Sequence, residues 1–487
     1  MGHGRLSETV PEDLGDWNST RAVVCGFGVS GFAAADTLLH LGAEVVVLDQ
    51  AEPTSDDMAE RARLLDILGA DLRLGSNAWD GTLPDRADLV VTSPGWSPTN
   101  PVLVEALGRG LPVWGEVELA WRLRGPDAAP WLCITGTNGK TTTVQMLDAI
   151  LRAAGLRSAA VGNVGRPVVE AVMDPAGADV LAVELSSFQL HWTSSMSAEA
   201  AAVLNVAPDH LDWHGSQSAY ESDKGRIYER AQRACVYNVE DAVTEELVRN
   251  ADVVEGARAI GFTRGIPAVG MLGVVDGVLA DRAFVEDRRN SAAELIRVDE
   301  LPDPAPHMVA NALAAAALAR AHGVSPAAVR DGLRGFALGP HRIESVAEID
   351  GVRYVDDSKA TNAHAALASL QGVAGEKVVW VAGGLAKGGT FDELVGQVRD
   401  RLRGAVVIGT DGPLIVGALR RHAPDVPVVE VTNGEDGLMD RVVAAARTMA
   451  QAGDTVLLAP GCASMDQFRD YAERGTAFAE AVRRSTD

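Results

Sequence analysis

Cysteine is scarce in this chain of 487 residues. Its four cysteines, Cys25, Cys133, Cys235 and Cys462, lie far apart and form no CxxC pair. That spacing excludes a disulfide framework and a zinc knuckle, and it fits a reducing compartment. Basic residues are also few: 43 Lys and Arg against 67 Asp and Glu leave a formal net charge of −24. Nonspecific binding to nucleic acid or to an anionic membrane draws on a basic surface, so neither is expected. A local basic pocket for an anionic small molecule stays open. Long apolar runs are missing too. The most apolar stretches, 310–319 and 378–382, fall short of the roughly 18 residues that a membrane span requires. The first twenty residues carry acids and no apolar h-region, so they read as a frayed tail. There is no internal repeat, and no low-complexity tract beyond the alanine-rich helix near 310–321. A soluble cytoplasmic protein is expected, without membrane insertion.

What the chain does have is core material. Hydrophobic residues make up 47% and charged residues 23%, and at roughly 150 residues per domain the length suggests about three domains. Strand-like runs alternate with helical patterns from end to end, which predicts α/β layering. One series of strands is expected at 22–25, 45–48 and 89–91. A second covers 131–135, 180–184 and 201–206. A third covers 352–355, 378–382, 405–408, 426–431 and 455–459. Pro and Gly near 112–115 and 125–130 bracket a first junction, and the Gly-Pro break at 337–341 marks a second. The expected domains are 1–114, 115–338 and 339–487. Segment 252–306 is rich in Gly, Pro and charge, and no regular structure can be read in it.

Gly26-Phe27-Gly28-Val29-Ser30-Gly31 matches GxGxxG directly after a strand and before a helical run, and Asp49 closes the next strand. This is the context of a dinucleotide fold: a tight turn, close backbone approach to phosphate, and an acid near a ribose diol. Three readings stand: an NAD(P)-dependent oxidoreductase, a turn whose glycines serve packing alone, and a cradle for another diphosphate such as that of a UDP-sugar. Amides at a helix N-terminus recognise diphosphate, whatever it is attached to.

A second glycine loop follows the strand 131–135: Gly136, Thr137, Asn138, Gly139, Lys140, Thr141 and Thr142. Its backbone amides would surround ATP phosphates, Lys140 would place a cation between the β- and γ-phosphates, and the Thr141 hydroxyl is placed to ligate Mg²⁺. The loop is shorter than GxxxxGK[ST], with Ile at 134. Apolar residues at Val144, Leu147, Ile150 and Leu151 continue it as a helix. Two phosphate loops argue against a simple dehydrogenase, which needs no ATP.

Glu184 ends an apolar strand, where a carboxylate can hold Mg²⁺; an edge salt bridge is the bland alternative. Asp209, His210, Asp212 and His214 crowd the next loop and suit either a metal cluster or solvent. Lys224 lies in a helical run, 218–229, where lysine is ordinarily a solvated face.

Together these residues resemble the Mur ligases, ATP-dependent amide-forming enzymes of peptidoglycan precursor synthesis. The matched segments are Gly136-Thr-Asn-Gly-Lys-Thr, Glu184-Leu-Ser-Ser-Phe-Gln-Leu, Asn205-Val-Ala-Pro-Asp-His-Leu-Asp, His341-Arg342, Asp356-Asp-Ser-Lys-Ala-Thr-Asn362 and Pro460-Gly-Cys-Ala-Ser464-Met-Asp-Gln-Phe468. They keep the family's order from about residue 20 to residue 480. The fold that the resemblance implies is α/β in three domains: a Rossmann-like UDP-binding domain, a central P-loop ATPase-like domain and a C-terminal Rossmann-like domain. The DDSKATN and CASMDQF runs are similar to the branch that adds D-glutamate to UDP-N-acetylmuramoyl-L-alanine.

The resemblance also implies roles. Lys140 and Thr141 fall on the phosphate-loop lysine and a Mg²⁺ ligand, Glu184 on a Mg²⁺ ligand, and His210 on a ligand of a second metal ion. Lys224 matches a lysine carbamoylated by CO₂, which turns an amine into a carboxylate-like metal ligand. Asn311 matches an adenine contact, whereas the family's second asparagine, three residues earlier, is Met308 here. Arg342 and Asp357 match ATP-side residues, and Lys359 matches a catalytic-site lysine. Thr361, Lys387, Ser464 and Tyr471 match the D-glutamate pocket. Ser30, Gly31, Asp49, Ser93 and Gly95 would surround uridine diphosphate, with Asn163 facing the acyl end of the substrate. The first glycine loop then needs no hydride chemistry. A monomer is expected. The rivals are the oxidoreductase and a noncatalytic sugar-nucleotide-binding protein.

Overall fold

The computed structural model describes residues 16–125, 127–337, 339, 341–432 and 437–485. Most of the expected N-terminal tail, and positions 338 and 340 of the Gly-Pro break, lie outside them. The chain divides into two compact units. One comprises 16–206, Ser218–Val298 and Asn311–Gly335; the other comprises Ala207–Gln217, Asp299–Ala310 and 336–485.

The first unit holds two sheets. The N-terminal one is parallel and five-stranded, in the order Asp71–Leu74, Glu44–Asp49, Arg21–Cys25, Leu89–Thr92, Val113–Gly115. Its interior strands read as continuous apolar runs because helices cover both faces. Strand order reverses on either side of Arg21–Cys25. The crevice at the carboxyl ends of Arg21–Cys25 and Leu89–Thr92 is therefore the topological switch point where open α/β sheets take ligands.

The second sheet has nine strands. From one edge it runs Ser158–Gly162, Val180–Glu184, Trp131–Thr135, Ala200–Val203, Ala234–Asn238 and Arg258–Phe262, all parallel. Met271–Val275 continues in parallel, and Val278–Asp281 and Ala293–Arg297 close the sheet as an antiparallel meander. Segment 252–306 thus carries four strands, with Gly in the connections 263–270 and 276–277 and a longer connection, 282–292, that has neither Gly nor Pro. One apolar core, including Trp114, Val117, Val168 and Val169, joins both sheets.

Two expectations are corrected here. The strand expected over 201–206 ends at Val203, because Asn205 turns its side chain and backbone onto the phosphate loop. The helical run 218–229 is an α-helix only over Gln217–Gly225, then a 3₁₀ turn at Arg226–Tyr228. Glycine at the change point weakens the α-helix.

The second unit is built on a six-stranded sheet ordered Glu344–Ile349, Val352–Asp356, Thr455–Leu458, Val378–Gly383, Leu402–Ile408, Val428–Glu430. Its first pair is antiparallel and the rest parallel. Apolar cores lie on both faces, one around Trp380 and Phe391 and the other around Tyr354 and Phe478. Among the described residues no helix is long and apolar enough to cross a membrane.

Candidate active site

At the switch point of the N-terminal sheet, sterics fix the glycines. Gly26 has φ +100°, and a Cβ there would stand 2.5 Å from Ser93 Oγ. A Cβ at Gly31 would come within 1.9 Å of the Gly26 carbonyl oxygen, so the helix Val29–His40 can pack this closely only on glycine. Asp49 holds the turn: its Oδ2 accepts from Phe27 N at 2.7 Å and its Oδ1 from Ala51 N at 2.9 Å. Both carboxylate oxygens already serve backbone amides, which weakens the ribose-binding reading that a dehydrogenase would need. Ser93 Oγ is buried, has no hydrogen-bond partner among the described residues, and faces this turn. Gly95 is exposed, with open space around the position of a Cβ. The helix Val29–His40, with Ser30 in its first turn, has Gly28 as N-cap and no side-chain cap, which leaves its first amides to a ligand. Trp96, not singled out by its motif, stacks on Trp79 at 5.8 Å beside Gly26.

The phosphate loop leaves a fully buried strand, Trp131–Thr135, and enters the helix Lys140–Ala153 through Gly139 at φ +82°. Asn205 clamps it. Its Oδ1 accepts from Asn138 N (2.8 Å), its Nδ2 donates to Asn138 O (3.1 Å), and its carbonyl accepts from Thr137 N (2.9 Å). The Tyr220 hydroxyl meets Thr137 Oγ1 at 2.9 Å. Asn311 touches the same loop, because a Cβ at Gly139 would lie 2.4 Å from its Oδ1. Lys140 folds back, with Nζ donating to the carbonyls of Gly136 (2.8 Å) and Thr137 (2.9 Å).

Lys224 is buried, 2% exposed, so the solvated-face reading fails. Its Nζ donates to Gly136 O at 2.9 Å and lies 4.5 Å from the Tyr220 ring centroid. Glu184 is 1% exposed; Oε1 accepts from Asn163 Nδ2 at 2.8 Å, and Oε2 has no hydrogen-bond partner among the described residues. A buried carboxylate oxygen left without a donor is costly unless a cation takes it. The site is oxygen-rich, with the Thr141 hydroxyl in the first turn of the helix that follows the loop, as Mg²⁺ requires. Asn163 N also donates to Glu184 O at 2.9 Å, so the 162–165 loop is tied to the same strand end.

In the second unit His210 sits at φ +52°, heading the short helix Leu211–His214, with its amide on Asp209 Oδ1 at 3.0 Å. The other expected residues gather at the carboxyl ends of three adjacent strands: Val352–Asp356, Thr455–Leu458 and Val378–Gly383. Asp357 is buried, which pushes its carboxyl up to about 6; Ser369 Oγ donates to it, and the Arg342 charge pulls the other way. Lys359 Nζ lies over the Tyr471 ring at 3.8 Å. Loop 360–362 with Thr361, loop 384–388 with Lys387 and loop 461–465 with Ser464 are joined backbone to backbone. Gly461 N donates to Ala360 O at 2.8 Å, and Leu385 and Ala463 exchange two bonds of 2.9 Å. Lys387 is exposed at φ +48°, and Ser464 is buried.

Arg474 is the largest omission from the sequence reading. Its guanidinium, 1% exposed, donates to Ser358 Oγ and O (both 2.9 Å), Cys462 O (3.1 Å) and Gly383 O (3.4 Å). Burial lowers it to about 10. It ties together the strand ends that carry Lys359, Lys387 and Ser464, yet its setting, Tyr-Ala-Glu-Arg-Gly, reads as an ordinary polar helix face.

Residues 20–115 match the "Mur ligase MurD-like, N-terminal domain", 134–319 the "Mur ligase middle domain" and 341–462 the "Mur ligase, glutamate ligase domain". A relative from Streptomyces avermitilis, named UDP-N-acetylmuramoylalanine–D-glutamate ligase, is 59% identical over 96% of this chain and 99% of its own. One of the same name from Streptomyces coelicolor is 60% identical over 96% and 98%. Another, from Mycolicibacterium smegmatis, is 47% identical over 95% and 96%. Among solved structures, the UDP-N-acetylmuramate–alanine ligase of Thermotoga maritima aligns with a TM-score of 0.57 at 20% identity, over 96% of this chain and 99% of its own. MurF of Acinetobacter baumannii gives 0.57 at 18% identity, over 91% of each chain. These neighbours carry the same three-domain α/β fold. With three domain models matched in chain order and close relatives aligned from end to end, the chain belongs to the Mur ligase family.

Proposed function

We propose that this chain is the ATP-dependent ligase that joins D-glutamate to UDP-N-acetylmuramoyl-L-alanine in cytoplasmic peptidoglycan precursor synthesis, working as a soluble monomer. Domains 1–114, 115–338 and 339–487 take the UDP-sugar, ATP and the amino acid respectively. The observation that carries the ATP-driven part is Glu184: a buried strand-end carboxylate beside a phosphate loop, with one oxygen left over. A hydride-transfer enzyme has no use for it. The names of relatives 59% and 60% identical supply the amino acid and the acceptor.

A carboxylate is a poor electrophile, so it must be activated before an amine can displace anything from it. The alanyl carboxylate of the acceptor attacks the γ-phosphorus of ATP, forming an acyl phosphate and releasing ADP. The D-glutamate amine then attacks the acyl carbon, phosphate leaves, the nitrogen loses a proton, and an amide remains. Lys140 would swing from the loop carbonyls onto the transferring phosphoryl group, and the amides of Thr137 to Thr142 would hold the other phosphates. Thr141 and Glu184 would hold one Mg²⁺, His210 would be a ligand of a second, and carbamoylated Lys224 would serve as a carboxylate-like metal ligand. Such ions neutralise charge on the phosphoryl oxygens. Asn311 would contact adenine, with apolar Met308 a turn earlier. Arg342 and Asp357 would act on the ATP side, and Lys359 at the reacting centre. Thr361, Lys387, Ser464 and Tyr471 would bind D-glutamate. Ser30, Gly31, Asp49, Ser93 and Gly95 would surround the uridine diphosphate, and Asn163 the acyl end.

The test is a panel of amino acids with ATP and UDP-N-acetylmuramoyl-L-alanine, reading phosphate release. D-Glutamate alone should support turnover. Turnover with another amino acid, or tight NADH binding without any binding of the UDP-sugar, would overturn the reading.

A further inference from the structure

The antiparallel meander of the first unit bounds a pocket that none of the proposed chemistry uses. It has a volume of about 540 Å³ and is lined by Arg258, Phe284, Glu286, Arg288 and Arg320. Three guanidiniums on one cavity are unexpected in a chain of net charge −24.

Their partners differ. Arg320, on the helix Pro306–His322, is neutralised and fixed: Nε donates to the buried Asp281 Oδ2 at 2.8 Å, Nη1 to Val324 O at 2.5 Å and Nη2 to Phe284 O at 3.2 Å. Arg258 is half-buried. It donates to Ala283 O and lies over the Phe284 ring at 5.2 Å. Among the described residues no carboxylate forms an ion pair with Arg258 or with the exposed Arg288. The turn carrying Arg288 is itself held, because the carbonyls of Arg288 and Arg289 accept from Arg282 Nη2 at 3.4 and 3.2 Å. Burial and the Arg288 charge both pull the Arg258 guanidinium below its ordinary range, against a smaller opposite pull from Asp281. Two like charges converge without a counter-ion, and an anion between them would relieve both the desolvation and the repulsion. The rim acid is Glu286, which is exposed.

Guanidinium forks match phosphate oxygens in geometry as well as in charge. The cavity falls within the roughly 300–1,000 Å³ typical of small-molecule sites and leaves room beyond a lone phosphate. We propose that this pocket binds a small phosphate monoester, with Arg258 and Arg288 donating to the phosphate and Phe284 flooring the site. The proposal is independent of the ligase reading, since none of these residues belongs to the candidate active site.

The experiment is calorimetric titration of the full-length chain, its ATP site first filled with Mg²⁺ and a non-hydrolysable ATP analogue. Glycerol 3-phosphate and inorganic phosphate are the probes. One equivalent should bind, and Arg258→Gln and Arg288→Gln should each weaken it by about tenfold or more. Glu286→Gln should tighten it. Tighter binding of the monoester supports a metabolite as occupant, and equal binding supports free phosphate through the same two arginines. Melting temperature should be unchanged in Arg288→Gln, which keeps that variant informative if Arg258→Gln folds poorly. Heats unaffected by Arg288→Gln, or no saturable binding of either probe below about 10 mM, would overturn the proposal.

Discussion

At the scale of single residues, the proposed chemistry rests on side chains whose burial their sequence pattern does not betray. Lys224 occupies a helical position where lysine is ordinarily solvated, yet it is buried against the Gly136 carbonyl and the Tyr220 ring. Only the family resemblance singled it out, because hydrophobic periodicity reports which face a residue is on and says nothing about what lies opposite. Lys224→Ala should lose activity, and bicarbonate depletion should slow the wild type. Full activity of that variant in a phosphate-release assay would discard the carbamate. Glu184 was legible as a strand-end acid; its spare oxygen was not, since that depends on where Asn163 and the loop amides point. Glu184→Gln should keep the fold by circular dichroism and lower turnover by about 100-fold or more, the scale of removing one preorganised electrostatic group. Arg474 and Asn205 were missed as positioning residues because most of their partners are backbone atoms distant in the chain, 116 residues away for Arg474 and Ser358. No local pattern encodes such a bond.

At the scale of elements, the buried parallel strands were read well, since strands covered on both faces are unbroken apolar runs. Trp131–Thr135 and Val180–Glu184 agree residue for residue. Segment 252–306 was illegible for the converse reason: its strands are only four or five residues long, partly exposed, and separated by Gly-bearing turns or by the charged stretch 282–292. Ends of elements were less legible than their middles, as Asn205 shows. Asn205→Ala would free the phosphate loop from the strand-end clamp; the KM for ATP should rise by about tenfold, equivalent to about 1.4 kcal/mol. Glu116 links two helices and gives a pH signature. It opens Glu116–Leu123, and its buried carboxyl accepts from Val169 N, in the first turn of Val168–Met173, at 2.6 Å. Burial, outweighing that bond, pushes it up to about 7 from an ordinary 4.5. The folded state therefore holds the proton more tightly than the unfolded chain. Its contribution is complete below about pH 4.5 and is lost as pH rises through about 7, a fall of at most roughly 3 kcal/mol. Buried Asp357, raised to about 6, adds a fall in the same direction. Urea midpoints measured between about pH 4 and pH 8 should decline less steeply in Glu116→Gln than in the wild type. Identical slopes would contradict this account of Glu116.

At the scale of the whole molecule, each of the three α/β sheets offers a switch point or strand-end crevice, and the proposed function assigns one substrate to each. Closure of the C-terminal domain over bound nucleotide is expected. Small-angle scattering should show compaction with ATP analogue, UDP-N-acetylmuramoyl-L-alanine and D-glutamate together; an unchanged radius of gyration would refute the gating. The net charge of −24 turned attention from polyanionic partners, but it carried no information about pockets. Lys140, Arg342, Lys359, Lys387 and the glycine-loop amides are local exceptions to it, as are Arg258 and Arg288. The central claim is that ATP activates the alanyl carboxylate as an acyl phosphate that D-glutamate then intercepts. Its most direct test is turnover with UDP-N-acetylmuramoyl-L-alanine carrying ¹⁸O in that carboxylate. One labelled oxygen should appear in the released phosphate for each amide formed, and only when D-glutamate is present. Unlabelled phosphate accompanying amide formation would contradict the account.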